Sequence, residues 1–134
     1  MADPQIERVK QKLIEELSPD VIYLFGSFAT GNLRPNSDLD LAFLSVHLYD
    51  DYEIFILAQE LADLANRDID LIQLKKASTV FRSQIVGTGK VIYCRDENKK
   101  DEFEMLTYKQ YMKLNEERKI ILDQIQERGS VYGE

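Results

Sequence analysis

The chain has few of the residues that build disulfides, zinc sites or histidine-dependent active sites. Its 134 residues include one cysteine, one histidine and no tryptophan. The single cysteine, Cys94, excludes an internal disulfide and a cysteine-rich zinc site, and we interpret it as a small buried residue at a strand end. His47 has no second histidine or carboxylate at ligand spacing, so we interpret it as a surface loop residue without a catalytic role.

Long apolar runs are also missing from the sequence. No run reaches the roughly 18 apolar residues of a membrane span, and no basic-then-apolar leader is present. We therefore expect no membrane association, no secretory signal and a cytoplasmic location. A length of 134 residues with 44% hydrophobic content predicts one domain with a real core.

Basic residues are too few for a nucleic-acid-binding surface. The chain has 17 Lys and Arg against 24 Asp and Glu, giving a net charge of −7. Non-specific affinity for nucleic acid comes mostly from Lys and Arg that neutralise phosphates, so we expect no direct nucleic-acid partner and no template-reading polymerase. A nucleotide is still compatible, because a bound divalent cation inverts the local potential of an acidic cluster.

The most informative segment joins two apolar strands through a turn and an aspartate pair. Val21–Phe25 has the length and the β-branched and aromatic content of a buried strand, and Gly26 and Ser27 stop it at a turn. Asp38 and Asp40 open the next apolar run. Because strand side chains alternate, the two carboxylates point to one side, about 6–7 Å apart at the backbone.

These residue types suit a phosphate and a magnesium ion. Mg²⁺ prefers oxygen ligands and is usually held by one or two carboxylates together with substrate phosphates. Gly26 allows close approach of the backbone to a phosphate, and Ser27 supplies an N–H and a hydroxyl. Gly26-Ser27 alone could be an ordinary turn, and Asp38 and Asp40 alone could be a solvated strand end. The combination of the two pairs favours a nucleotide and metal site.

Gly26-Ser27, ten intervening residues and Asp38-x-Asp40 resemble the signature of the polymerase-beta-type nucleotidyltransferase superfamily. The short chain is most similar to the minimal nucleotidyltransferase (MNT) group, over about residues 8–95. The resemblance implies a nucleotidyltransferase fold and a third aspartate from a later strand. Asp70 takes that role because it lies inside an apolar run, with Asp68 as the alternative.

The resemblance also implies an activity and a partner. The expected reaction is Mg²⁺-dependent transfer of AMP from ATP to a hydroxyl, with Asp38 and Asp40 holding the metal and Asp70 completing the cluster. Gly26 and Ser27 would anchor the β- and γ-phosphates. MNT antitoxins pair with HEPN ribonuclease toxins, which implies a hetero-oligomer in which a toxin tyrosine is adenylylated. The alternatives are a small-molecule, antibiotic-type nucleotidyltransferase and a non-catalytic antitoxin that masks its partner by binding.

Two residues between Ser27 and the aspartate pair are further candidates for nucleotide binding. Arg34 has the reach to contact a phosphate or an acidic partner, and Ser37 directly precedes Asp38. For each, a solvated loop residue is an equally good interpretation.

The rest of the sequence predicts an α/β (α+β) fold, in which a small mixed sheet is flanked by helices. Residues 1–95 are expected to form the nucleotidyltransferase domain, and residues 96–134 a helical extension of it. This extension either lies back over the domain or offers its apolar side chains to a partner. Periodicity predicts helices over 6–17, 52–66, 78–86 and 101–126, and strands over 21–25, 38–43, 69–74 and 91–94.

Overall fold

The computed structural model describes residues 4–26 and 38–132, with side chains described as far as residue 128. Helices and short strands alternate along the chain, as the sequence predicts. The helices are α1 (Pro4–Leu17), α2 (Asp51–Ala65), α3 (Thr79–Thr88) and α4 (Glu97–Tyr132); the strands are β1 (Val21–Phe25), β2 (Leu39–Leu44), β3 (Ile69–Gln73) and β4 (Lys90–Cys94); and one 3₁₀ turn covers Leu74–Lys76.

The four strands form one mixed sheet in the order β3-β2-β1-β4. β1 pairs antiparallel with both β2 and β4, whereas β2 and β3 run parallel. A parallel pair needs a crossover connection, and α2 supplies it. The predicted mixed sheet flanked by helices is therefore confirmed.

Alternation along the strands divides the apolar residues between the two faces of the sheet. One face packs against α1 and α2, with Leu39, Leu41 and Phe43 in its core together with Leu13 and Leu61. The opposite face packs against α3 and the first turns of α4, and its core is smaller: Val21, Tyr23, Ala42, Leu44, Leu74 and Ile85.

Capping residues explain the start of α3 and the end of α2. Ser78 caps α3, because its Oγ accepts a hydrogen bond from the N–H of Phe81 at 3.1 Å. α2 ends at Asn66, whose φ of 53° is left-handed. The third strand stops at Gln73 rather than Leu74, since Leu74 turns into the 3₁₀ segment and is fully buried.

The C-terminal helix is longer than the periodicity predicts, because its charged first turn is already helical from Glu97. Its first turns lie on the domain, where Phe103 packs on the core and Thr107 is 1% exposed. Residues 115–128 are exposed throughout. The first turns therefore lie back over the domain, whereas a partner surface on the exposed part of the helix and the domain division at residue 95 stay predictions. No helix in the described ranges has both the length and the apolar character needed to cross a membrane.

Candidate active site

The candidate carboxylates lie at one end of the sheet. Asp40 is the second residue of β2 and is the direct neighbour of Asp70 in the parallel β2–β3 ladder. Paired residues on adjacent strands are about 4.8 Å apart at the backbone, so both side chains emerge side by side. Asp38 precedes β2 and is exposed, while Leu39 and Leu41 are buried in the core. The expected alternation of carboxylates and core residues is confirmed.

Asp40 has the most perturbed environment of the three aspartates. Partial burial raises the pKa of its carboxyl group, and the negative charges of Asp70 and then Asp38 raise the pKa further. Asp38 and Asp70 therefore both lie close enough to act on the carboxylate of Asp40. The arrangement concentrates negative charge where a cation would be attracted.

Gly26 lies directly against this carboxylate cluster. Phe25 pairs with Asp40 across the β1–β2 ladder, and Gly26 follows with a φ of +71°. A Cβ atom at Gly26 would overlap Oδ2 of Asp40, so the Asp40 carboxylate would have to move. Glycine therefore adopts this backbone conformation without strain and leaves the Asp40 carboxylate in place.

The donor set suits a hard divalent cation. Three aspartates offer only oxygen ligands, and Asp40 lies beside Asp70 with its pKa raised by burial and by the other two charges. Within residues 4–26 and 38–132, no three acidic, histidine or cysteine side chains converge closely enough to hold a metal by themselves. That degree of convergence is not required for Mg²⁺, which takes most of its ligands from substrate phosphates and water. The residues present therefore fit the predicted metal.

Three candidate nucleotide-binding residues, Ser27, Arg34 and Ser37, lie outside the described residues, so their assignments stay predictions. Two other residues are placed clearly. His47 is exposed in the loop after β2, in agreement with its interpretation as a surface residue. Cys94 ends β4 as expected, but it is only partly buried.

A groove of about 530 Å³ next to Asp70 was not expected from the sequence. It runs along β3, between α2 on one side and the 3₁₀ turn with α3 on the other. Phe55 lines it and is 58% exposed. The sequence signal for this groove is Phe55, an aromatic residue of α2 that does not share the helical spacing of the buried residues Ile54, Leu57 and Leu61.

A hydrogen bond between the sheet and α4 was also missed. The hydroxyl of Tyr23, in β1, donates to Oε2 of Glu104 at 2.8 Å. Burial first, and the Glu104 carboxylate second, raise the pKa of Tyr23 far above its ordinary value of 10.0. Contacts over 81 residues of sequence leave no local pattern that would reveal them.

A mixed sheet that presents a left-handed glycine and three aspartates at one end is the arrangement that the sequence resemblance to nucleotidyltransferases predicts. Residues 7–98 match the family described as Polymerase beta, Nucleotidyltransferase. The chain belongs to this family, which confirms the resemblance found in the sequence.

Known relatives narrow the comparison to toxin–antitoxin proteins. The chain is 38% identical over 117 residues to a protein adenylyltransferase, MntA, of Shewanella oneidensis, covering 85% of this chain and 83% of the relative. A solved toxin–antitoxin complex with AMP-PNP contains a chain with 35% identity and a TM-score of 0.78, covering 90% of this chain and 98% of that chain.

A second solved structure contains a tri-AMPylated HEPN toxin of Shewanella oneidensis in complex with an MNT antitoxin. Its matching chain has 30% identity and a TM-score of 0.76, and the match covers 91% of this chain and 96% of the other. These matches cover 85–91% of this chain, so they include much of α4 as well as the sheet.

Proposed function

We propose that this chain is a protein adenylyltransferase that acts as the antitoxin of a HEPN ribonuclease toxin. It transfers AMP from ATP to a tyrosine hydroxyl of the toxin, and the two proteins form a hetero-oligomer in the cytoplasm. The observation that carries the proposal is the pairing of Asp40 with Asp70 beside Gly26. The resemblance to an adenylyltransferase along 85% of the chain supports the protein acceptor.

Each site residue has a role that follows from its position. Asp38 and Asp40 would hold Mg²⁺, and Asp70 completes the cluster from the neighbouring strand. Bound Mg²⁺ neutralises phosphate charge and so stabilises the charge that develops during transfer. The backbone of Gly26 and the hydroxyl of Ser27 would hold the β- and γ-phosphates, and Arg34 and Ser37 are further candidates for phosphate contacts.

The transfer balances as a single displacement. The acceptor oxygen bonds to the α-phosphorus while the bond from this phosphorus to the bridging β-phosphate oxygen breaks, and pyrophosphate leaves. Asp70 is exposed, so it is accessible to an acceptor hydroxyl. It orients the hydroxyl and accepts its proton.

Exposed apolar residues on α4 favour a stable complex in addition to catalysis. Met112 is 60% exposed, and the second half of the helix continues this apolar character. Apolar side chains in a helix that extends beyond the domain are typical of a protein interface. The exposed positions there are Ile120, Ile121, Leu122 and Ile125.

The test is intact-mass spectrometry of the partner protein encoded by the adjacent gene, after incubation with this chain, ATP and Mg²⁺. We expect mass increments of whole AMP units with the native chain and none with the Asp38→Ala, Asp40→Ala variant. The matched control is Glu15→Ala, Asp63→Ala, which removes the same charge from exposed positions on α1 and α2 and should leave the increments unchanged.

Two results would contradict the proposal. Inhibition of the partner by both the native and the double-aspartate protein, without any increment, would make binding the function. Modification of an aminoglycoside in place of the partner would make the chain a small-molecule nucleotidyltransferase.

Chelation of the divalent cation should abolish the increments, since phosphate binding beside three carboxylates requires a counter-charge.

A further inference from the structure

The outer edge of β3 carries backbone groups that pair with no other strand of the described sheet. β3 is an edge strand of the described sheet. The N–H of Leu39 donates to the carbonyl of Asp68 at 2.9 Å, which sets the phase of the parallel ladder. Residues 68, 70 and 72 therefore direct their backbone groups toward β2, while Ile69, Leu71 and Gln73 direct theirs outward.

The two edges of the sheet differ in their protection against pairing. β4 begins with Lys90, and its register with β1 shifts at Ile22 and Tyr23. Lysine and irregular register are devices that prevent strand addition. β3 contains no lysine or proline, and its register with β2 is regular over all five residues. It is therefore the edge suited to accept a further strand.

The groove described above lies along this edge and has apolar residues on both walls. Ile54, Phe55 and Ala58 are the apolar part of the α2 wall, which also includes Asp51 and Gln59, and Phe81 forms the α3 wall. The hydrogen bonds of Lys76 Nζ to the Tyr49 carbonyl at 2.8 Å and to Asp51 Oδ1 at 3.1 Å close the far end. An extended segment of about five residues would match the length of β3.

The near end of the groove opens onto the carboxylates. Asp70 lines the groove and is at the same time the partner of Asp40 in the ladder. The ring of Phe81 stacks edge-on against Phe25, with 5.8 Å between centroids, and Phe25 directly precedes Gly26. A chain lying in the groove therefore has one end next to both the proposed base and the phosphate turn.

We propose that the groove receives the acceptor segment of the partner protein as an added strand on β3. This inference rests on the proposed protein-directed activity. Backbone hydrogen bonds to Ile69, Leu71 and Gln73 would give the segment its register, and an apolar side chain would pack on Phe55. The register then brings the acceptor hydroxyl to Asp70. A second copy of this chain is disfavoured as the occupant, since each copy carries a net charge of −7 and would bring its own Asp70 to the edge.

The first test separates the groove from the nucleotide site. Phe55→Lys should raise the KM for the partner roughly tenfold, because it places a charge on an apolar contact, while the affinity for ATP stays unchanged. Tyr52→Lys is the matched control: it lies on the same helix, is 68% exposed and does not line the groove. A KM for the partner that is native in both variants would overturn the inference.

The second test does not depend on transfer. Amide hydrogen exchange resolved to single residues should show that Ile69, Leu71 and Gln73 gain protection when the native chain binds the partner without ATP. Protection elsewhere only, or protection of these amides through self-association, would contradict the inference. If the native chain transfers no AMP, the proposed function fails; if it transfers AMP and both groove tests are negative, only the groove assignment fails.

Discussion

The two faces of the sheet are built from alternate residues of the same strands, yet they do different things. The face under α1 and α2 is apolar, and Leu13, Leu41 and Leu61 on it are fully buried. The opposite face is interrupted by Asp40 at one end and by the Tyr23–Glu104 hydrogen bond farther along. The apolar face therefore stabilises the fold, which allows the other face to carry charges that repel one another.

The largest effect on stability is expected from the apolar face. Leu61→Ala should lower the free energy of unfolding by about 2–5 kcal/mol, because it opens a cavity in a closed core. Leu64→Ala is the matched control on the same helix, since Leu64 is 40% exposed. Urea denaturation measures both. Equal losses would mean that the core does not distinguish the two positions.

A substitution at the carboxylate end of the sheet should mainly lower the rate of AMP transfer. Gly26→Ala forces a side chain onto Asp40 and a φ of +71° onto a residue that disfavours it. We expect a roughly hundredfold loss of AMP transfer, the size of effect that follows from moving a catalytic group by an ångström. The strained backbone should also lower stability by about 1–2 kcal/mol.

The control for this change is Gly87→Ala, in α3. A Cβ there meets nothing within 4 Å, and Gly87 lies in the last turn of the helix, so alanine should change stability little. Transfer by this variant should be native. Native transfer by Gly26→Ala as well would remove Gly26 from the site.

A smaller effect is expected where polar groups hold α4 to the sheet. Tyr23→Phe removes the hydroxyl that donates to Glu104 and should lower stability by about 1 kcal/mol. A double-mutant cycle with Glu104→Gln checks whether the loss belongs to this pair. Because the Tyr23 pKa is raised, the stabilisation is complete below its ordinary value of 10.0 and is lost as the pH rises through the higher folded value. A loss that does not depend on pH up to strongly alkaline solution would contradict this assignment.

In contrast to Tyr23→Phe, a substitution at Asp40 is expected to raise stability. The pKa of Asp40 is raised in the folded state, so its contribution to stability is present below the ordinary value of 3.8 and is lost as the pH rises through the raised value. Asp40→Asn should therefore stabilise the apo protein at pH 7 and lose that advantage toward pH 3. Thermal unfolding at both pH values measures the difference. Mg²⁺ with ATP should stabilise the native chain more than the variant, and equal stabilisation would separate Asp40 from the metal.

Much of this architecture could be predicted from residue patterns. β1 matches its predicted bounds, α3 begins within one residue of its predicted start, and α2 buries Ile54, Leu57 and Leu61 at helical spacing. Leu64 continues this spacing but is 40% exposed, so periodicity alone does not give the depth of burial. The early start of α4 was missed because a run of charged residues carries no hydrophobic period, and helix packing supplies the missing signal.

The sequence by itself determined the family, the sealed apolar face and the side of β2 to which Asp38 and Asp40 point, because side-chain alternation and the needs of a turn are local properties. Only the tertiary structure decided that Asp70, rather than Asp68, is the neighbour of Asp40, since the register between two parallel strands depends on the crossover that joins them. The same is true of the groove along β3. Its walls come from separate helices, and no stretch of sequence contains both.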